Sequence, residues 1–463
     1  MRHPLFISML AGAMALGCAQ ENIGTPPPAP GQPFAGFYFP TGIAFVPDAS
    51  GGPGFVYVVS SDFDLRYNRG TLAAVDLATL ADAIPATAGA TPAVIADPHI
   101  AAQVSIDVLG GPVAVYQAAG RPPNERRIFI AGRQNNSLDA VDVDGQAVRC
   151  ALDASTDDCS ASAASLGSGM VDAYRPLVVG NQVFVGGLTA QDHPATSGMQ
   201  SVSSVARLNA DNLSDLSVRA LGPPDSQVGA EAVDGLAVVG NQLYLGGRAT
   251  GGVDENGGAL YFNDSPLRML SLDGFTTAGS ATYVPLDAQV LIRDARAMAL
   301  SSDGTRLYLV THSPDGLAIL DVSPGLDGSP RNTVVGVADL PLGATELAVI
   351  PRGPGRRDVV AVTCGTANVL ALYDDEIGRV VAAVRGLGEQ PFGVAVGPRL
   401  SASGAVLSGV RLYTTAFGRG DLAVVELPNL DDASTAAVLA TLGPNENCLN
   451  DTVDARPPEC PNK

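Results

Sequence analysis

Short apolar runs recur along the chain in groups of three, with turn residues between them. The clearest group comprises residues 297–300, the turn Ser302-Asp303-Gly304, residues 306–310 and residues 317–321. Short runs that are rich in Val, Leu and Tyr and bounded by Gly, Asp or Pro are typical of β-strands. Asp-Gly favours a hairpin turn because glycine readily takes a positive φ. The pattern therefore predicts units of three or four antiparallel strands.

This unit repeats. Residues 179–187 (Val-Gly-Asn-Gln-Val-Phe-Val-Gly-Gly) are almost copied by residues 239–247 (Val-Gly-Asn-Gln-Leu-Tyr-Leu-Gly-Gly), at an offset of 60 residues (241 − 181). The predicted middle strands are 55–59, 127–131, 183–187, 243–247, 306–310, 358–364 and 411–415. The predicted third strands are 71–77, 138–143, 205–210, 267–272, 317–322, 369–374 and 422–427. Seven repeats at this spacing indicate propeller blades rather than a helical solenoid.

In this repeat pattern the chain resembles the YVTN-type seven-bladed β-propellers. The segments 294–324 and 389–427 match best, with a first strand, Asp-Gly or a similar turn, Arg, an aromatic-centred strand and a closing acidic residue. The resemblance covers roughly 34–442 and implies an all-β propeller, with a ring of six or eight blades as the alternative. Long insertions at 192–201, 251–265 and 399–409 depart from the pattern. A strand at 436–441 is expected to complete the last blade, and how the ring closes is left undecided.

The N-terminal segment is predicted to be an export signal. A short basic start precedes an apolar stretch that is too short to span a bilayer, which predicts a signal peptide over 1–17. Ala15-Leu16-Gly17-Cys18 resembles the lipobox of bacterial lipoproteins, with Ala15 where leucine is usual. The resemblance implies lipidation of Cys18, and Ala19 after it permits sorting to the outer membrane, on its periplasmic face or at the cell surface. An ordinary secretory signal with an incidental cysteine is the alternative. Residues 18–33 are proline-rich and predict an extended tether.

The remaining cysteines form two local pairs and one single residue. Cys150 and Cys159 enclose a short loop, and Cys448 and Cys460 enclose part of the C-terminal tail, 443–463. In an oxidising compartment such pairs predict two disulfides, although the sequence leaves other pairings open. Cys364 stands in an apolar run and is expected to be a buried small hydrophobe.

Composition excludes several functions. The formal net charge of −20 argues against binding to nucleic acid, whose backbone is also anionic. Lys463 is the only lysine, so a P-loop and a Schiff-base enzyme both lack their essential residue. There is no Cys-x-x-Cys-His for covalent haem.

Polar residues stand where the first strand of several blades begins, beside the expected central channel. They are Arg175, Glu231, Asp234, Asp294, Arg296, Glu346 and Gln390. Such a mixture can bind a metal, a small polar ligand or a peptide. It can equally pair within itself and hold the blades in register, which is the simpler interpretation.

The function predicted from these features is a lipid-anchored binding or protein-interaction scaffold at the cell envelope, most simply a monomer. Its partner would be an envelope protein, a glycan or a small polar ligand, and no catalytic residue or cofactor is assigned. The alternative is a metal-dependent hydrolase or lactonase with its site in the channel. Acidic loops, among them 153–158, leave Ca²⁺ or another divalent metal open. His312 and Asp315 can form a local acid–base pair, but a solvated turn histidine is the simpler interpretation.

Overall fold

The structure is a computed structural model of the 463-residue chain. The residues that it describes are 36–48, 53–65, 67–89, 91–122, 124–188, 191–192, 201–221, 231–249, 252–253, 259–260, 267–273, 275, 282–284, 295–312, 314–401 and 403–443. The predicted signal peptide, Cys18, the tether and the Cys448–Cys460 pair lie outside these residues.

Seven antiparallel sheets of four or five strands form a ring, so the described part of the chain is a seven-bladed β-propeller. Blade 1 has β1 (Pro40–Val46), β2 (Phe55–Ser60), β3 (Gly70–Asp76) and β5 (Ile100–Ile106). Blade 2 has β6 (Gly110–Tyr116), β7 (Glu125–Gly132), β8 (Ser137–Asp144), β9 (Ala147–Cys150) and β10 (Ala164–Ser165). Blade 3 has β11 (Ala173–Val179), β12 (Gln182–Gly187), β15 (Ser204–Asn209) and β16 (Ser217–Ala220).

The other blades follow the same order from the channel outward. Blade 4 has β17 (Glu231–Val239), β18 (Gln242–Ala249), β21 (Arg268–Ser271) and β22 (Thr282–Tyr283). Blade 5 has β23 (Ala295–Leu300), β24 (Arg306–His312), β25 (Asp315–Asp321) and β26 (Thr333–Asp339). Blade 6 has β27 (Ala344–Ile350), β28 (Val359–Cys364), β29 (Val369–Asp374) and β30 (Arg379–Val384). Blade 7 has β31 (Pro391–Leu400), β32 (Val406–Ala416), β33 (Asp421–Leu427) and β34 (Ala437–Leu442).

The predicted middle and third strands are therefore the second and third strands of the seven blades, and every one of them forms. Two predicted insertions form small hairpins, β13 (Gln191–Asp192) with β14 (Ser201–Val202) and β19 (Gly252–Val253) with β20 (Ala259–Leu260). The third insertion extends the β31–β32 hairpin. Among the described residues, the helices are α1 (Leu77–Ala83) and two 3₁₀ turns (Cys159–Ser162 and Ala433–Thr435). None of the helices in the described ranges is long and apolar enough to cross a membrane.

The hydrophobic core lies between blades rather than in one central mass. Each pair of neighbouring blades shares its own cluster of buried side chains. Tyr57, Tyr244 and Tyr308, from the aromatic-centred second strands, are fully buried at three of these contacts. Their hydroxyls donate to the next blade, at the carbonyl of Gly145 (2.7 Å), Asn332 Oδ1 (2.6 Å) and Asp375 Oδ2 (2.9 Å). The repeated aromatic thus supplies apolar area and one directed hydrogen bond per contact.

Glycines near the start of the inner strands let the blades approach closely. A Cβ on Gly42 would lie 2.4 Å from the carbonyl oxygen of Gly111 in blade 2, and one on Gly393 would lie 2.3 Å from that of Thr41 in blade 1. Both distances are below any real Cβ contact, so any side chain would push the inner strands apart.

The ring is closed by a strand that lies between β3 and β5 of blade 1 in the sequence and pairs with blade 7. Strand β34 completes blade 7, as the predicted strand at 436–441 anticipated. Strand β4 (Ala93–Ile95), which follows α1 in blade 1, then pairs with β34 in parallel, and the Gly443 amide donates to the Ile95 carbonyl at 2.9 Å. The outer edge of blade 7 is thereby covered by a strand from blade 1.

The predicted Cys150–Cys159 disulfide is formed, and Cys364 is free and fully buried. The loop that this disulfide closes docks on blade 1. The Asp157 carbonyl accepts from the Ser105 amide at 2.8 Å, and Asp158 pairs with Arg69 at 3.2 Å.

Removing this disulfide is expected to destabilise the propeller. Cys150→Ala with Cys159→Ala should lower the free energy of unfolding by about 2–3 kcal/mol, because a cross-link over a short loop restricts the unfolded chain by about that much. Urea unfolding followed by circular dichroism measures the change. Ser155→Ala, at an exposed position of the same loop, is the matched control and should unfold like the wild type. Equal midpoints for the double variant and the control would contradict the prediction.

Candidate functional site

A cavity of about 250 Å³ opens at one end of the channel, where the inner strands begin and the second strands end. Its lining comes from all seven blades. One part of the wall is charged and is formed by Arg133, Asp234, Arg296 and Glu346; the rest is mainly aromatic and aliphatic. The start of the inner strands, where sequence reasoning placed the channel residues, is therefore where the cavity lies.

Arg175 ties four blades together beneath this cavity. From blade 3, its Nε donates to the Asp234 carbonyl of blade 4 at 2.6 Å. Its Nη2 donates to the Arg296 carbonyl of blade 5 at 3.1 Å. Both Nη atoms donate to the Glu346 carboxylate of blade 6, Nη1 at 2.8 Å. The planar guanidinium suits this geometry because it directs several donors in fixed directions at once.

The ion pair of Arg175 and Glu346 is largely withdrawn from water, with side chains 13% and 11% exposed. Burial alone would lower the pKa of Arg175, but the charge and hydrogen bonds of Glu346 outweigh it and raise the pKa above its ordinary value. The arginine is thus permanently charged, and its charge is matched locally.

Tyr174 supports two arginines at the edge of the cavity. The guanidinium carbon of Arg133 lies 6.0 Å from the centre of its ring, and that of Arg175 lies 5.8 Å away. Arg133 is also held by both carboxylate oxygens of Asp172, at 2.9 and 3.0 Å. Burial, with the charges of Asp234 and Glu346, raises the pKa of the Tyr174 hydroxyl well above its usual range. Tyr174 therefore stays neutral.

The aromatic wall stands on blades 1 and 7. Phe417 is its centre, with ring centroids 5.2 Å from Phe39, 5.4 Å from Phe63 and 6.1 Å from Phe392. Phe392 also packs with Tyr174 and Leu188 on the far side of the channel. Phe63 is 52% exposed, so one aromatic face is open to solvent at the entrance of the cavity.

The predicted channel residues are partly brought together. Asp234, Arg296 and Glu346 line the cavity, and Arg175 donates hydrogen bonds to all three. Asp294 and the side chain of Glu231 lie outside the described residues. Gln390 does not line the cavity. Its backbone N–H donates to Asn368 Oδ1 at 2.8 Å, and its backbone carbonyl accepts from the Phe417 backbone N–H at 3.0 Å. The second of these bonds positions Phe417 in the aromatic wall.

Sequence reasoning missed the aromatic wall, Tyr174 and Arg133. Phe63 and Phe417 follow second strands in blades that are distant in sequence, and only the ring brings them together. One signal was present, because Tyr174 directly precedes the predicted residue Arg175 and Phe392 lies two positions after the predicted residue Gln390.

His312 and Cys364, two further side chains that could carry chemistry, do not line the cavity. His312 Nδ1 lies 3.0 Å from Asp315 Oδ1, so the pair predicted as one option is formed; the same Asp315 oxygen accepts from the Ala344 amide at 2.9 Å. Burial raises the pKa of the Cys364 thiol to about 12, which removes it as a nucleophile. Within the described ranges, no group of three or more His, Cys, Asp or Glu side chains is placed to hold a metal ion.

A buried carboxylate lies away from the cavity, between blades 1 and 2. Asp139 is fully buried; its Oδ2 accepts from the Asp107 amide at 3.0 Å, and its Oδ1 has no hydrogen-bond partner. Burial, with a smaller contribution from the charges of Asp107 and Asp158, raises the pKa of Asp139 to about 7 despite that hydrogen bond.

No protein-family model matches the chain, and no curated protein matches it. Among solved structures, hydrazine synthase from Kuenenia stuttgartiensis is similar over 84% of this chain and 96% of its own, at 11% identity and a TM-score of 0.48. Apo AztD from Citrobacter koseri is similar over 87% of this chain and 86% of its own, at 12% identity and a TM-score of 0.39. Neither similarity carries information about the cavity. The protein is therefore a seven-bladed β-propeller with a cavity of about 250 Å³ at the entrance of its channel.

Proposed function

We propose that this chain is an exported, lipid-anchored β-propeller of the YVTN repeat type that binds a partner or ligand at the cell envelope. The observation that carries the proposal is the cavity at the channel entrance, with one aromatic and one charged wall. Pockets of this composition usually bind ligands, because apolar surface supplies affinity and a few polar groups fix orientation. The lipobox-like segment at Cys18 and the proline-rich tether support placement at the outer membrane.

Binding is favoured over catalysis because the charged groups beside the cavity are already paired. Both oxygens of Glu346 accept from Arg175, and both oxygens of Asp172 accept from Arg133. A metal-dependent hydrolase would need Glu346 to leave a buried ion pair before it could bind a metal or act as a base. Rigid, charge-matched walls instead preserve the shape of a binding surface.

The anchor is tested by fractionation. Cys18→Ser should move the protein from the membrane fraction to the soluble fraction, because the lipidated side chain is lost. Ala19→Asp should keep the protein membrane-bound but shift it from the outer to the inner membrane, as the lipoprotein resemblance implies. A Cys18→Ser protein that stayed in the membrane fraction would exclude the lipid anchor.

The binding role is tested with the soluble Cys18→Ser protein as bait in envelope extract, with bound material identified by mass spectrometry. Phe63→Ala should reduce what is captured, because it removes the most exposed part of the aromatic wall. Ile377→Ala is the matched control, since Ile377 is 57% exposed in the β29–β30 turn and does not line the cavity. Identical capture by all three proteins would reject the cavity as the binding site.

A further inference from the structure

We infer that the cavity at the channel entrance binds a neutral sugar ring, such as the terminal residue of a glycan. The inference rests on the proposed binding function and adds the chemistry of the ligand. Three properties of the cavity lead to it: an aromatic wall, a charge-matched polar wall and a small volume.

The aromatic wall suits a ring with an apolar face. Phe63, Phe392 and Phe417 belong to one connected group of rings, and Phe63 offers its surface to solvent at the entrance. The C–H face of a sugar packs flat against such rings, because the electron-rich face of an aromatic attracts the slightly positive hydrogens of C–H groups. A peptide or polyol chain without a ring has no comparable flat surface.

The polar wall selects against a net charge on the ligand. Among the described side chains that line this wall, two arginines, Arg133 and Arg296, are matched in number by two carboxylates, Asp234 and Glu346. Two partners outside the lining complete the balance, because Asp172 pairs with Arg133 at 2.9 Å and Arg175 pairs with Glu346 at 2.8 Å. A free carboxylate or amine on the ligand would therefore meet a repulsive partner for each attractive one.

Hydroxyl groups suit such a wall better than charges do. A hydroxyl donates one hydrogen bond and accepts others, so the same group can bond to a carboxylate and to a neighbouring guanidinium. Paired arginines and carboxylates are also pre-organised, because each holds the other in place before a ligand arrives.

The volume limits the ligand to one ring. At about 250 Å³, the cavity lies below the range of roughly 300–1,000 Å³ that is usual for drug-sized ligands. A single pyranose fits this space, and the remainder of a glycan would leave the cavity past the exposed Phe63.

The test uses the soluble Cys18→Ser protein, methyl glycosides of neutral hexoses, the corresponding uronic acids and benzyl alcohol. The chain contains no tryptophan, so Phe63→Trp places a single fluorescent reporter at the entrance while it keeps an aromatic surface. Titration should give a saturable change in emission with at least one neutral glycoside. Phe63→Ala, followed by ligand-observed NMR, should weaken that binding about tenfold, and Ile377→Ala should not change it.

The outcomes separate the sugar inference from the binding function. Absence of neutral-glycoside binding, or stronger binding of a uronic acid or of benzyl alcohol, would overturn the sugar inference. The binding function would survive if envelope capture still depended on Phe63, and would fall if capture did not. Because Phe63 is half exposed, its replacement empties no core, and an unchanged unfolding midpoint will verify that the variants are folded.

Discussion

Replacing Arg175 with alanine is expected to lower the free energy of unfolding by about 3–5 kcal/mol, the usual cost of breaking a buried ion pair from one side. The variant leaves the Glu346 carboxylate, 11% exposed, without its counter-charge. It also removes the donors to the carbonyls of Asp234 and Arg296, so three blades lose their link to blade 3 at once. Urea unfolding monitored by circular dichroism measures the loss.

The double variant Arg175→Met with Glu346→Gln distinguishes a lost ion pair from lost packing. It removes both charges, so it should recover a large part of the loss, since an uncompensated buried charge costs more than an absent pair. Arg357→Ala breaks an ion pair with Asp303 whose side chains are 40% and 48% exposed, and it should change stability far less. A single Arg175 variant as stable as the Arg357 variant would refute the linking role of Arg175.

Asp139→Asn is expected to remove a pH dependence from the stability of the propeller. The pKa of Asp139 is about 7 in the folded protein and about 4 in an unfolded chain, so the folded state holds the extra proton between these values. Stability therefore falls as pH rises from about 4 to about 7, by about 4 kcal/mol in total, and this contribution is constant above and below that window. The variant should match the wild type near pH 4 and exceed it at pH 8.

Asp303→Asn is a control, because the pKa of Asp303 is lowered in the folded protein whereas that of Asp139 is raised. Partial burial would raise the pKa of Asp303, but hydrogen bonds from Ser301 and Thr305 lower it to about 2. Stability from Asp303 is therefore present above pH 4 and is lost as pH falls towards 2, so this variant should be the less stable one at neutral pH. Parallel stability curves for Asp139→Asn and wild type between pH 4 and 8 would contradict the assignment of Asp139.

Local sequence determines the blades but not their closure. The strands around Tyr244 and Tyr308 were predictable because each depends on residues within a few positions: an apolar run, a turn and a second run. Strand β4 was not predictable, because Val94 pairs with Thr441 from the other end of the ring and its own segment is short and half exposed. Pairing between such distant segments leaves no periodic signal at either one.

The residues of the cavity were likewise predictable only in part. Arg175 and Glu346 were found because strong charges at the start of inner strands are conspicuous against an apolar background. Their contact links residues far apart in sequence, so the sequence alone left open whether they bind a ligand or each other. The paired geometry fits the simpler of the two interpretations for Arg175 and Glu346. The wall around Phe63 and Phe417 carries no local mark, since isolated aromatics after strands are ordinary core residues.

The pairing of β4 with β34 also means that part of blade 1 is covered only after the last blade has been synthesised. Synthesis proceeds from the N-terminus, so β4 exists long before its partner, and the apolar surface of Leu77, Leu80 and Ile84 waits for blade 7 to cover it. A chain interrupted before blade 7 begins at residue 391 has six blades and leaves this apolar surface uncovered, so we expect it to be cleaved by proteases more readily than the finished ring. Only the finished ring covers that surface, because the blade 7 strands pack against Leu77, Leu80 and Ile84.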